Sequence, residues 1–367
     1  MVYYLIKRIM LIPITVFGII FINFTIIQVA PGGPVEHVLS TLRGSVPDAT
    51  ARITGGHSKE TSQTLFAIGS NSRSQYRGAH GLSPEFVREL EQQFGFDKAA
   101  SERFFMLVRN YLTFNLGKSY YSNKSVISLI IEKLPVSISL GLWSTLIIYL
   151  ISIPLGIIKS VRDGSRFDII TSYLMITSYA IPNFLFAVLL IIVFSGGRYL
   201  NWFPLRGLTS DCWQILTGSE RILDYFWHIT LPVMVMAISG FASLTLLTKN
   251  AFLDELSKQY VVTARAKGLS ERSVLYRHVF RNAMLLVIAG FPHTLVRLLF
   301  TSSILTEVIF TLDGLGLLGF EAAQRRDYPV MFGTLYVFSL IGLLLNVISD
   351  IMLHLVDPRI DFEQRDT

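Results

Sequence analysis

Long apolar runs, separated by short polar segments, recur along the chain. Each has about the 20 residues that a helix needs to cross the hydrocarbon core of a membrane. The runs fall at residues 9–29, 136–158, 169–195, 229–247, 284–310 and 330–356. The pattern predicts an all-α membrane protein with six transmembrane helices. The run 9–29 is long for a signal peptide and lacks an A-x-A-like cleavage site, so we expect it to remain as the first span.

A proline interrupts the third run. Pro182 lies between Ile181 and Asn183 in the middle of residues 169–195. Because proline removes an intrahelical hydrogen bond, we expect a kink at this position. Two interpretations stay open. The kink simply bends the helix, or Pro182 and Asn183 line a translocation path.

Basic residues are concentrated on alternate sides of the runs, which sets the orientation. Cytoplasmic loops carry the excess of Lys and Arg, so the richer set is predicted to be cytosolic, with both termini inside. The richer set is Lys7, Arg8, Lys159, Arg162, Arg166, Lys249, Lys258, Arg265, Lys267, Arg272, Arg277, Arg281, Arg359 and Arg365, and the opposite short loops hold Arg198, Arg206, Arg221, Arg325 and Arg326.

The composition is that of a membrane protein, and the positive net charge is explained by membrane orientation. The chain is 51% hydrophobic and only 16% charged, against about 25% charged in soluble domains. Its formal charge of +6 lies at the ends of apolar runs, which argues for membrane orientation and against a nucleic-acid partner. The single cysteine, Cys212, excludes an internal disulfide.

The chain divides into four regions by composition. Residues 1–29 form the amino terminus and first span, 30–135 a periplasmic segment, 136–356 a five-helix core and 357–367 a cytosolic tail. Within the periplasmic segment, 40–81 is rich in Ser and Gly and is predicted to be a flexible insertion, whereas 82–135 is predicted to be helical. One helix is expected from Ser83, and another carries Phe104, Phe105, Val108 and Leu112 on one face. This aromatic face either packs on the spans or grips a ligand.

Motifs that indicate catalysis or nucleotide binding are weak. Gly117-Lys118-Ser119 resembles the end of a phosphate-binding loop, but Leu112 stands where that loop requires glycine. The histidines lack metal-ligand spacing, and no Ser/His/Asp set can be argued. We therefore expect no catalytic residue, metal or cofactor in this chain.

The strongest candidate site is the basic segment 251–283. A short helix over 258–267, a left-handed turn at Gly268 and a second helix capped by Ser270 predict a hairpin on the cytosolic surface. Ala264 and Ala266 are small enough for a partner to approach the backbone. The alternative is that the segment is only an oriented cytoplasmic loop with basic anchors.

This segment resembles the coupling loop of ABC importer permeases of the peptide branch. The resemblance rests on Thr263, Ala264, Arg265, Ala266, Lys267, Gly268 and Leu269, followed by Val274, His278, Arg281, Asn282 and Ala283. The generic family has Glu six positions before this glycine, where the present chain has Val262, as in peptide permeases. The first seven residues are thereby identified as ATPase-coupling residues.

Other stretches extend the resemblance over nearly the whole chain. They include Ala30 to Pro34, Leu134 to Ser137, Ile181 to Phe184, Glu307 to Phe310 with Gly314 to Gly316, Arg326 to Pro329 and Asp357 to Ile360. The Ser/Gly-rich insertion is similar to the Yej-type subgroup of oligopeptide and microcin C importers. The resemblance implies a bacterial inner-membrane permease that pairs with a homologous second permease, a cytosolic ATPase that binds Mg-ATP, and a periplasmic substrate-binding protein.

Two charged residues lie in the run 284–310. Arg297 is a candidate for substrate or gate contact, because intramembrane charges are by default functional, although a snorkelling arginine is the alternative. Glu307 is expected on the same helix, about 15 Å further along, and its match to the family indicates a structural role at the periplasmic gate. Asp350 is expected to be solvated or interhelical.

Other function classes remain to be weighed against an ATP-coupled permease. A stand-alone secondary transporter or channel does not need a cytosolic hairpin, and no internal inverted repeat is obvious. A membrane enzyme would need several ionisable residues converging inside the spans. Co-purification with an ATPase would discriminate between these classes.

Overall fold

The computed structural model describes residues 2–29, 98–122, 124–196, 199–297 and 303–356. Apart from one isolated bridge between Lys118 and Ser125, regular structure in these ranges is helical. The helices are α1 Val2–Val29, α2 Ala100–Leu112, α3 Val126–Val161, α4 Arg166–Ala180, α5 Asn183–Phe194, α6 Gly218–Leu256, α7 Gln259–Ala266, α8 Glu271–Ser273, a π-helix Val274–Val279, α9 Phe280–Ala289, α10 Phe291–Arg297, α11 Ser303–Ile309, α12 Leu315–Arg325 and α13 Tyr328–Val356.

The predicted spans correspond to helices that are long and apolar enough to cross a membrane. Within the described residues there are 5 such helices, or 6 if α4 and α5 count as one span. Both α3 and α6 extend well beyond their apolar runs, to 36 and 39 residues. The prediction of an all-α membrane protein is confirmed. The predicted helix at Ser83, the insertion 40–81 and the tail 357–367 lie outside the described residues.

The third run is not one kinked helix. It forms α4 and α5, which meet at an angle of 97°. Ile181 has extended backbone (φ −81°, ψ 121°) and Pro182 occupies the position before the first turn of α5. A residue before proline is pushed out of the helical region, and proline is accepted where a helix begins, so the helix breaks completely here.

The fifth run is interrupted at Gly290. Residues 298–302, between Arg297 and Glu307, lie outside the described residues, so the expectation that these two residues share a helix stays a prediction. The π-helix Val274–Val279 leads into α9, which carries the start of the run, and the helix resumes after Gly290 as α10. Pro292 lies in the first turn of α10, where its missing N–H costs no hydrogen bond. Arg297 ends α10, and Glu307 belongs to α11.

The chain forms two compact units. The first comprises residues 1–12, 130–318 and 338–367, and its core is built from buried side chains of α3, α5, α6 and α9. Small residues allow α3 and α6 to approach closely. A Cβ added to Gly156 would lie 2.6 Å from Thr248 Cβ, and one added to Gly240 would lie 2.5 Å from Ile148 Cδ1. Such small-residue contacts are typical of helix packing in membranes.

The second unit comprises residues 13–129 and 319–337. Here the ring of Phe104 on α2 meets the α1 rings of Phe17, Phe21 and Phe24 at centroid distances of 5.6, 5.9 and 5.3 Å. For Phe104 the packing interpretation of the aromatic face is thus correct. Phe105 on the same helix is largely exposed.

Candidate functional site

The basic segment folds into the predicted hairpin, made of α7, a turn at Gly268 and the α8–π–α9 limb. At the end of α7, the N–H groups of Lys267, Gly268 and Leu269 donate to the carbonyls of Thr263, Arg265 and Ala264 at 3.1, 2.9 and 3.3 Å. Gly268 has a φ of +78°, and a Cβ added there would meet nothing within 4 Å. The turn therefore needs glycine for its backbone conformation and not for space.

Ser270 begins the second limb as predicted. Its side chain accepts a hydrogen bond from the N–H of Ser273. An ion pair across the turn was not foreseen. Arg265 Nε and Nη2 donate to the two carboxylate oxygens of Glu271 at 2.9 and 3.0 Å. This bidentate geometry favours one relative direction of the two limbs.

Only part of the predicted coupling surface faces outward. Val261 and Ala264 are buried, whereas Thr263, Arg265, Ala266, Lys267 and Leu269 are exposed. Residues three apart share a face of a helix, so Ala264 follows Val261 into the core beside Val274 and Val279. The expectation that a partner approaches the backbone at Ala264 is wrong, and at Ala266 it remains a prediction.

The hairpin is attached firmly to the helix before it. Only Ser257 and Lys258 separate α6 from α7, and the hydroxyl of Tyr260 donates to Glu255 Oε2 of α6 at 2.6 Å. Burial and this hydrogen bond raise the pKa of Tyr260 to about 12, against a smaller opposing effect from Asn282 of α9. Tyr260 therefore joins α6, α7 and α9 as a neutral hydroxyl at physiological pH.

A second group of charges lies where α3 and α4 meet α6. The four-charge cluster consists of Lys159, Asp163, Asp168 and Lys249. The Asp168 carboxylate pairs with Lys159 at 2.9 Å and with Lys249 at 2.7 Å, and Lys249 also pairs with Asp163 at 2.7 Å. Two positive and two negative charges balance within the cluster. Lys159, whose side chain is 0% exposed, also donates to Thr171 Oγ1 at 2.6 Å, Ser172 Oγ at 2.9 Å and the Asp168 carbonyl at 2.8 Å.

Burial and pairing act in opposite directions on Lys249. Burial alone would lower its pKa, but the hydrogen bonds and charges of Asp163 and Asp168 outweigh burial and hold the pKa above its ordinary value. Lys249 is therefore charged at every physiological pH. Leaving one member of a buried pair uncompensated costs about 3–5 kcal/mol. Sequence reasoning used Lys159 and Lys249 only as orientation markers, because their partners are not recognisable from hydropathy.

Glu307 holds a loop together. It is fully buried. Its carboxylate accepts hydrogen bonds from Ser137 Oγ at 2.7 Å and from the N–H of Leu317 at 2.9 Å, while Ser137 Oγ accepts the N–H of Leu315 at 2.8 Å. A Cβ on Gly314 would collide with the Glu307 carboxylate. These contacts fit the structural role expected of Glu307, and a role in a gate remains a prediction.

The remaining path candidates lie on separate helices. Pro182 is exposed and Asn183 begins α5, whereas the exposed Arg297 ends α10. Helix α10 packs on α3 through the rings of Phe291 and Tyr149, whose centroids are 5.2 Å apart. The positions of these candidates leave both interpretations of Arg297 open.

Two other polar sites answer questions from the sequence. Ser119 belongs to the motif rejected above as a phosphate-binding loop. Its hydroxyl donates a buried hydrogen bond to Asp327 Oδ2 at 2.6 Å, which gives it a structural role. Asp350 pairs with Arg8 of α1, which makes it interhelical. Among the described residues, no group of three or more His, Cys, Asp or Glu side chains is placed to hold a metal ion.

Comparison with known proteins gives consistent matches. Residues 152–362 match the family model of binding-protein-dependent transport system inner membrane components. The chain is 57% identical over 366 residues to the inner membrane ABC transporter permease protein YejB of Escherichia coli O157:H7, covering 99% of both chains. It is 54% identical to the peptidoglycan transport system permease protein YejB of Agrobacterium fabrum, again over 99% of both. It is 32% identical to the oligopeptide transport system permease protein AppB of Bacillus subtilis, over 98% of this chain and 99% of the other.

Proposed function

The chain belongs to the family of binding-protein-dependent transport system inner membrane components, and we propose that it couples ATP hydrolysis on a partner subunit to uptake of oligopeptides. It is a multi-pass inner-membrane permease subunit of an ABC importer and not itself an enzyme. The observation that carries the coupling role is the hairpin, which exposes Arg265, Ala266, Lys267 and Leu269 around a turn fixed by Gly268.

The proposed partners follow from the family. ATP hydrolysis belongs to an ATPase subunit, which binds Mg-ATP, and this chain binds no cofactor. A homologous second permease completes a heterodimer, and a periplasmic binding protein delivers the substrate. Helix α4 offers one surface that the second permease or lipid would cover, because most of its apolar side chains are exposed in the isolated chain: Ile169, Ile170, Tyr173, Leu174, Ile176 and Tyr179.

The proposed orientation places both termini and the hairpin in the cytosol. The carboxyl ends of α3 and α6 then lie on the cytosolic side together with the four-charge cluster. Closure of the ATPase pair on ATP moves the hairpin as a rigid lever, and the spans alternate between inward and outward opening. The rigidity has support in the Arg265–Glu271 pair and the Tyr260 tether.

The substrate class has two candidates. The name of the Bacillus subtilis relative favours oligopeptides, and microcin C is proposed as one such substrate. The name of the Agrobacterium relative favours peptides that carry peptidoglycan fragments. Both candidates are peptides that a separate binding protein would deliver.

Reconstitution of the purified complex tests this function. The chain should co-purify with an ATPase and a second permease, and proteoliposomes should take up peptide only with ATP inside and binding protein outside. Parallel uptake of a plain oligopeptide, microcin C and a muropeptide separates the substrate candidates. Uptake by this chain alone, driven by an ion gradient, would favour a secondary transporter.

A further inference from the structure

Helix α4 is attached to the rest of its unit mainly through charge. Along its 15 residues, only Asp168 and Met175 are buried. Apart from Met175, its large apolar side chains are exposed, so apolar packing contributes little to its position. Asp168, in contrast, binds two lysines from two other helices, Lys159 of α3 and Lys249 of α6. The firm end of α4 is therefore the cytosolic end.

The helix that supplies Lys249 is the one that carries the hairpin. Lys249 lies seven residues before the end of α6 at Leu256, which corresponds to about 10 Å along a helix. Lys249 and the end of α6 belong to one unbroken helix, so a displacement of α7 would be transmitted to Lys249 along α6. At the other end of α4, about 18 Å from Asp168, the chain turns by 97° into α5 at Pro182.

The amino-terminal turn of α4 is built to hold Asp168 in place. Ser165 Oγ accepts the N–H of Asp168 at 3.2 Å, and the N–H of Gly164 donates to Asp168 Oδ2 at 3.2 Å. Gly164 reaches this geometry with a φ of +72°. Asp168 Oδ2 thus accepts hydrogen bonds from Gly164 and Lys249, and Oδ1 lies 2.9 Å from Lys159 Nζ in an ion pair. These contacts limit how far the side chain can adjust to a movement of Lys249.

We propose that Asp168, held between Lys159 and Lys249, is the anchor through which movement of the hairpin passes from α6 to α4 and on to the bend at Pro182. Lys249 and Asp168 are positioning residues and touch neither substrate nor nucleotide. This inference rests on the proposed coupling function. If the contact between Asp168 and Lys249 is weakened, ATP hydrolysis should continue with less peptide uptake. The ATPase and the second permease should remain in the complex.

The test uses the complete transporter in proteoliposomes and measures peptide taken up per ATP hydrolysed. Lys249→Met should lower this ratio by about tenfold, a usual size for coupling between sites, and Lys249→Arg should restore it to within about twofold. Arg162→Met is the matched control, because Arg162 is an exposed charge in the adjoining loop. It should leave the ratio unchanged.

A double variant separates linkage from charge balance. The double variant Lys249→Met, Asp163→Asn keeps the Lys159–Asp168 ion pair, whose charges cancel. It still lacks the contact between Lys249 of α6 and Asp168 of α4, so the peptide taken up per ATP should stay low. A wild-type ratio of uptake to ATP hydrolysis, in either the double variant or Lys249→Met, would contradict the proposal that Asp168 is the anchor. If Lys249→Met alone does not assemble, the charge-balanced double variant decides, since it keeps Lys159 and Asp168 paired; a normal ratio there rejects the proposal. Failure of the wild-type transporter to couple ATP to uptake would instead reject the proposed function.

Discussion

Replacing Gly268 by valine tests the hairpin as a lever. Gly268 has a φ of +78°, which a β-branched residue adopts only with strain of about 1–3 kcal/mol. The Arg265–Glu271 pair cannot offset this strain. Its side chains are 44% and 71% exposed, and an exposed pair contributes about 0–1 kcal/mol. At about 2 kcal/mol of net strain the turn equilibrium shifts about 30-fold, which displaces Lys267 and Leu269 from their positions on the surface.

The assay is binding-protein-stimulated ATP hydrolysis and peptide uptake by the reconstituted complex. Both should fall sharply in Gly268→Val, while membrane insertion and assembly with the second permease persist. Gly268→Asn should retain activity, because asparagine tolerates the left-handed region. Gly207→Val is the matched strain control, since Gly207 has a φ of +81° in a loop far along the chain from the hairpin. Normal transport by Gly268→Val, with normal binding of the ATPase, would refute the reasoning.

Three further predictions concern topology, the path and pH. Cys212 is exposed and should react with an impermeant maleimide added outside intact spheroplasts; labelling only after lysis would reverse the orientation. Arg297→Leu should alter peptide uptake without affecting assembly if the residue lines the path, and unchanged uptake over a broad set of peptides would leave it a snorkelling arginine. Burial raises the pKa of Asp327 above 3.8 against the hydrogen bonds from Ser119 and Tyr120. A raised carboxyl pKa favours the protonated folded form, so stability should fall as pH rises through that pKa; thermal melts between pH 4 and about 7 should show this in wild type and much less in Asp327→Asn.

Local chemistry made part of this molecule predictable from its sequence. Hydropathy located the spans, and the hairpin followed from a basic segment, Gly268 and the Ser270 cap. Each of these features depends on residues close together in the chain. The position of Pro182 was also informative, although the sequence rule for proline predicted a kink where the structure has a 97° break.

What escaped prediction depends on partners distant in sequence. Lys249 and Asp168 are 81 residues apart, and a lysine at the end of a span has the same hydropathy whether it orients the protein or pairs inside it. Ala264 was assigned to the surface because small residues suit both interfaces and cores. The interruption at Gly290 was missed because an apolar run records length and not continuity of hydrogen bonds.

The π-helix between the hairpin and α9 has a consequence for comparing relatives. Val274 and Val279 are both fully buried, although residues five apart in an α-helix point about 140° away from each other. Hydrogen bonding from i to i+5 brings the two valines onto one face at the expense of one extra residue in the turn. In a relative with one residue fewer here, the two positions would be four apart, and an ordinary α-helix places such residues about 40° from each other on one face. A one-residue gap at this place in an alignment therefore corresponds to a change in helix type and not to an error.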